Sequence, residues 1–546
     1  MVPSRRPFLV RRPRRMLVPL VSNDHGRGSM MEGTGSQDLG SDSEPSGAPG
    51  VEGTWTGGEA GSGSALAPAG MVETHASILF FVGERVYKLR KPVQFGFLDF
   101  RQRAIRQADC QRELELNRRL APDVYVGVAD LLMGGEPIDH LVVMRRMPEE
   151  RRLAALALEG GDLGPCLHRV AERLVTFHGM AERSSAISAS ATDEAIRSIW
   201  EDNFAETQPF VGTILDDVVE AEIRQLAFRW IEGRKPLLDA RIALGCVRDG
   251  HGDLQTEDIF CLDDGVRILD CLQFSDRLRH GDVCADVSFL VMDLERLGHA
   301  EAAVRFLHDY EELGGDRFPD TLVNHYCASR AYVRAKVSCL RSVQGAGAAA
   351  IEAARFQSLA LDHLRKARVR MVLVGGLPGS GKTTLATGVA AARGWTVLRS
   401  DQIRQDLAAT SGHPGAPGRL EDRYRPAVTA AVYEELIRRA ERALGLGDSV
   451  VLDASWIDAS WREVARSVAE RTSSDLIELC CDTSFEVAEA RITRRNAEHA
   501  DISEATPQVR RAMSRVIDPW PSADVIDTSA MAPDEMVQRA LDGVLR

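Results

Sequence analysis

The sequence predicts an α/β domain with a helix-covered parallel sheet in the carboxy-terminal third of the chain and an α+β domain ahead of it. Three observations carry this. From Met371 onward, short β-rich runs alternate with helical stretches, the order that builds a parallel sheet. Between Ile78 and Met147 strand-type runs flank one helical stretch, and mainly helical patterning follows from about Arg152. Residues 1–70 do neither, with six arginines among the first fifteen positions and then a long Gly/Ser/Pro/Glu stretch. The expected division is a disordered tail over 1–70, one domain over 71–365 and a second over 366–546.

The elements follow in order. The run Met16 to Val21 is short and broken by Pro19, which does not suit a secretory segment, and Met30, Met31 and Met71 are further candidate starts. Ile78–Val82 and Val86–Leu89, joined by Gly83-Glu84, read as a β-hairpin. Arg101 to Leu120 carries apolar returns at Ile105, Ala108, Leu114, Leu116 and Leu120 and reads as an amphipathic helix, with a strand over Asp139–Met147. In the last third, strands are expected at 371–374, 396–398, 449–452, 476–479 and 525–526.

Bulk properties exclude several classes. At 546 residues the chain exceeds the ~100–200 of an ordinary domain. No stretch approaches the ~18 apolar residues of a membrane span. A net charge of −13 argues against bulk nucleic-acid binding, which needs a basic surface. Ten scattered cysteines, without CxxC pairing or zinc-type spacing, suit reduced, mostly buried thiols in a cytoplasmic protein. Oligomeric state is not legible.

Gly376-Leu377-Pro378-Gly379-Ser380-Gly381-Lys382-Thr383 fits GxxxxGK[ST], between an expected strand and a helix opening with Thr384. Glycines let backbone N–H groups converge on phosphate oxygens, and the helix N-terminus adds a favourable dipole. Lys382 is expected on the β- and γ-phosphates of ATP and Thr383 on Mg²⁺. Asp401, at the rim of the second strand, is expected to orient or deprotonate an acceptor hydroxyl. Asp453, closing the third strand, is expected to hold Mg²⁺. Arg491 and Arg495 share a helix face and are expected over the γ-phosphate.

The pieces GGLPGSGKTT, SDQIR, VVLDASW and RITRR resemble the P-loop kinase group of zeta toxins, polynucleotide 5′-kinases and gluconate-kinase-like proteins. The resemblance implies that Asp401 and Arg404 serve the acceptor and that Arg491 and Arg495 close over ATP.

A second signature lies upstream. His251-Gly252-Asp253-Leu254-Gln255, then Asp258, then an apolar run ending in Asp270, gives a loop aspartate for the hydroxyl proton and a strand-end aspartate for Mg²⁺. This region resembles the aminoglycoside phosphotransferases, whose two-lobed fold is protein-kinase-like. By that resemblance Lys88 is the phosphate-binding lysine, Glu113 its ion-pair partner, and Asp258 and Asp270 the metal ligands. With ETHASILFFVGERVYKLRKPVQFGFLDF and ELNRRLAPDVY, the chain resembles a bacterial family that fuses such a domain to a P-loop domain. Gln255, Asp258 and Gln273 depart from its usual pattern, and no glycine-rich loop precedes Lys88. Two readings therefore stand: a phosphotransferase acting on a small-molecule or nucleoside-like acceptor, its kinase-like domain weakened, or an ATP-dependent regulatory protein with a degenerate one.

Overall fold

The computed structural model describes residues 17–18, 70–74, 76–95, 98–343, 347–410, 425–498 and 506–543. Most of the expected tail lies outside them; Leu17–Val18 forms a two-residue strand parallel to Tyr125–Met133. The chain forms two compact units, Met1–Leu156 with Glu257–Ser275, and Ala157–Thr256 with Asp276–Arg546.

The first unit is built on an antiparallel sheet. Strands Tyr125–Met133, Glu136–Arg145, Arg85–Arg90, Ser77–Val82 and Gly70–Glu73 lie side by side in that order. The expected hairpin is present and turns at Gly83, whose φ of 56° suits a residue without a side chain. The helix Arg103–Asn117 lays its apolar stripe on the sheet, so that Cys110 and Leu114 pack with Val86, Val124, Tyr125, Val142 and Met144. It ends three residues before the expected Leu120. Tyr125–Met133 has no clean alternation and was not expected. A hairpin of Ile259–Leu262 and Gly265–Ile268 completes the unit.

The second unit begins with helices, among them Gly164–Met180, Asp217–Gly233, Asp320–Val343 and Gly347–Lys366. It continues into a fully parallel sheet in the order Thr396–Arg399, Val450–Asp453, Arg370–Gly375, Asp475–Asp482, Asp524–Asp527. All five strands expected from sequence are there. The inner strands bury apolar residues on both faces, with Val372, Val374 and Leu479 packing on one helix layer and Met371, Leu373 and Leu452 on the other.

The change of architecture near residue 366 is not a break in contacts. Buried Arg234 donates to the carbonyls of Leu444 and Thr472, Thr321 Oγ1 donates to the Gly447 carbonyl at 2.7 Å, and Arg229 pairs with Asp475 at 2.7 Å. Eight of the ten cysteines are free thiols, six of them buried; Cys166 and Cys261 are the exceptions to the expected reduced set. Among the described residues no helix is long and apolar enough to cross a membrane.

Candidate active site

In the second unit the strand Arg370–Gly375 runs into a loop that opens the helix Lys382–Arg393. Gly376, Gly379 and Gly381 have φ of 135°, 82° and 90°, a left-handed backbone that side chains resist. Space enforces the same choice, since a Cβ on Gly376 would lie 2.4 Å from the Cys481 carbonyl oxygen and one on Gly379 2.7 Å from that of Ala488. Ser380 is buried with an unpartnered hydroxyl, Lys382 starts the helix, and Thr384 is exposed on its first turn.

Thr383 Oγ1 donates to Asp453 Oδ2 at 2.8 Å. Asp453 closes the strand beside the loop, is 4% exposed, and its other oxygen has no hydrogen-bond partner. Burial pushes its carboxyl above the ordinary range; Lys382, Thr383 and Arg399 pull it back. A hydroxyl and a buried, half-satisfied carboxylate at the end of a phosphate loop are the donor set that fits Mg²⁺.

Asp401 sits not at a strand end, as expected, but in the first turn of the helix Ser400–Thr410, because the strand stops at Arg399. It remains near enough to Asp453 to raise its carboxyl. Arg404 is half-buried on the next turn of that helix, where its charge reaches Tyr433. Arg491 and Arg495 share a face of the helix Phe485–Glu498. Arg491 donates to the carbonyls of Gly379 and Thr528 at 3.4 and 2.7 Å and to Thr528 Oγ1 at 3.1 Å, so here it braces the back of the loop.

Arg510 was missed. It is buried and donates to the carbonyls of Pro378 at 2.7 Å and Thr483 at 3.2 Å, fixing the loop from outside, while Thr528 Oγ1 holds the Ser380 carbonyl at 2.7 Å. No sequence periodicity marks a partner 132 residues away.

The loop His251–Asp253 also lies in the second unit. His251 N and Gly252 N donate to Asp286 at 2.6 and 2.8 Å, and His178 Nε2 lies 3.2 Å from the same carboxylate. Burial alone would raise the Asp286 carboxyl, but His178, His251 and the backbone donors hold it well below the usual range. Gly250 is required because a Cβ there would stand 2.3 Å from Asp286 Oδ2. Asp253 is half-buried. Asp286, hidden in the apolar run VCADVSFLVM, gave no signal.

In the first unit three expected residues meet. Lys88 Nζ lies 2.8 Å from both Glu113 Oε1 and Asp270 Oδ1. Burial would lower the Lys88 pKa, yet Asp270 and Glu113 outweigh it and hold it above the ordinary lysine value. Asp270 adopts φ 59°, uncommon for a residue with a side chain, and is pinned by Tyr125 Oη on its own N–H at 3.2 Å and by Asn117 Oδ1 on the next at 2.8 Å. Asp258 is half-buried and, with Glu113 and Asp270, adds to the burial that raises the Tyr125 hydroxyl.

A lysine on a sheet strand, paired with a helix glutamate and a metal-type aspartate, is the arrangement of a kinase-like amino-terminal lobe. With the phosphate loop on a five-stranded parallel sheet, the chain combines a kinase-like fold with a P-loop kinase fold. The family described as an AAA domain matches residues 371–520. The uncharacterized proteins Rv2004c of Mycobacterium tuberculosis and Mb2027c of Mycobacterium bovis are each 39% identical over 459 residues, 84% of this chain and 92% of theirs. The chain belongs to the same family as these mycobacterial proteins. Among solved structures, a choline/ethanolamine kinase family protein from Mesorhizobium loti is similar over 55% of this chain and 92% of its own, at 14% identity and TM-score 0.36. The Mycobacterium tuberculosis APS kinase in complex with AMPPNP and APS is similar over 32% of this chain and 96% of its own, at 24% identity and TM-score 0.25.

Proposed function

We propose that the protein is a cytoplasmic ATP-dependent phosphotransferase whose P-loop fold passes the γ-phosphoryl group to a hydroxyl of a small-molecule or nucleoside-like acceptor. The observation that supports this most is the Thr383–Asp453 pair at 2.8 Å, with a buried free carboxylate oxygen, at the end of the glycine loop. Backbone N–H groups of 376–384 cradle the phosphates, and Lys382 sits on the β- and γ-phosphates. Thr383 and Asp453 would hold Mg²⁺, which when bound would supply charge neutralisation to the phosphates. Asp401 accepts the acceptor hydroxyl proton as the new O–P bond forms, the bond from the γ-phosphorus to its bridging oxygen breaks, and ADP leaves. Arg404 binds the acceptor, and Arg491 and Arg495 close the loop side.

The kinase-like fold of the first unit is a second nucleotide site, with Lys88 on phosphate and with Asp258 and Asp270 as the residues that would hold a metal. The intact Lys88–Glu113–Asp270 constellation favours this over a degenerate remnant. The test is a metabolite and nucleotide screen with γ-labelled ATP on the full chain. Label in a defined acceptor, lost in Lys382→Ala, is expected; label reaching only water with every acceptor would favour a regulatory ATPase instead.

A further inference from the structure

The Glu113 carboxylate is fully buried and split between two cations, with Lys88 on Oε1 at 2.8 Å and Arg90 Nη2 on Oε2 at 2.7 Å. The rest of the Arg90 guanidinium is also committed, Nε to Asp109 Oδ2 at 2.6 Å and Nη1 to Ser77 Oγ at 2.8 Å, under the ring of Phe100. Lys88 and Arg90 are two apart on one strand face, and Asp109 and Glu113 are four apart on one helix face, so the four charges form a square between strand and helix.

We propose that Arg90 is a positioning residue that bolts Glu113 against Lys88 and keeps the phosphate site of this unit permanently assembled. The proposal rests on the reading that Lys88 meets nucleotide phosphate. In protein kinases the lysine–glutamate pair must be in place for activity, and helix position controls it. Here an outward swing of Arg103–Asn117 would carry Asp109 and Glu113 away and leave the 5%-exposed Arg90 guanidinium without either carboxylate, which is strongly unfavourable. The helix therefore has one stable position. Neither Arg90 nor Asp109 needs to touch the nucleotide for this, so both act through Glu113.

The experiment uses the full chain carrying Lys382→Ala, which silences the P-loop site, titrated with Mg·ATP into the millimolar range. Lys88→Ala should abolish the remaining binding; if it does not, the reading of Lys88 fails whatever Arg90 does. With that control met, Arg90→Met should weaken binding about tenfold or more, the scale of one charge-assisted hydrogen bond. In a Glu113→Gln background it should add no further loss. Unchanged affinity in Arg90→Met, or a loss that persists in Glu113→Gln, would overturn the proposal. If Arg90→Met loses its cooperative melt, Asp109→Asn takes its place: it keeps the arginine charge and frees one anchor. A smaller loss that vanishes in Glu113→Gln supports the bolt; no loss, or one that persists, overturns it.

Discussion

The two proposed phosphate sites would solve one problem with different materials. The site of the first unit is made of side-chain charge: Lys88, Glu113 and Asp270 meet at 2.8 Å across elements far apart in sequence. The site of the second unit is made mostly of backbone, with three glycines in left-handed conformations, a helix N-terminus, and one hydroxyl–carboxylate pair. A charge-built site depends on where each side chain is held. A backbone-built site depends on where side chains are absent.

The sharpest way to break this comparison is to ask whether the two sites work independently. Asp401→Asn should lower kcat for acceptor phosphorylation by about 10²–10⁴-fold, the range of a general base, with ATP affinity nearly unchanged. Asp253→Asn should leave that reaction at its wild-type rate. Equal loss of transfer in both variants would mean a single composite site.

Next in size is Lys382→Ala, which removes charge-assisted bonds of about 1.5–3 kcal/mol each and should cost the P-loop site about 100-fold in ATP affinity. Calorimetry on the full chain reads this, and an unchanged binding isotherm in a folded variant would refute the phosphate role of the loop.

A smaller effect with an informative sign comes from Asp453. Its carboxyl is raised above the unfolded value by burial, so the favourable contribution is fully present below the unfolded pKa and is lost as pH rises through the folded one. At neutral pH the ionised group costs stability. Asp453→Asn should therefore melt at or above the wild-type temperature without metal, yet lose the stabilisation that Mg·ATP gives the parent. A variant clearly less stable without metal would show that the carboxylate is structural. Acidification should weaken Mg·ATP binding at a pH above that of an ordinary aspartate.

The smallest effect is expected for the tail. A chain beginning at Met71 should melt cooperatively and bind ATP like the full chain, because the Gly/Ser/Pro/Glu-rich composition of residues 1–70 supplies too little apolar surface for a core. Loss of cooperative melting would assign them a packing role.

What was legible follows from how each feature is encoded. The loop residues Gly376 to Thr384 and the strand ending in Asp453 are local in sequence, and strand, turn and helix signals coincide there. Lys88, Glu113 and Asp270 came through a resemblance to a family pattern, and the structure brings them into one cluster. Asp401 was read as the rim residue that ends the second strand, whereas that strand stops at Arg399 and Ser400 opens a helix with Asp401 in its first turn. Arg90, Asp286 and Arg510 were overlooked for a shared reason. Each works by holding a backbone or a second side chain, through partners set by tertiary packing, and no local spacing records that.

Arg234 has a consequence for how the chain is made. Its buried guanidinium, with a pKa pulled down to about 10 by desolvation, satisfies carbonyls at Leu444 and Thr472. Neighbouring Gly233 lies so close to Thr472 that a Cβ there would stand 2.2 Å from its carbonyl oxygen. Because synthesis runs from the amino terminus and earlier segments fold first, the helix Asp217–Gly233 is already on hand when the carboxy-terminal strands emerge. The helical layer is then a template on which the nascent sheet completes its surface. A fragment starting at residue 366 would be released with that template missing, and its yield and solubility on synthesis should fall well below those of the whole chain.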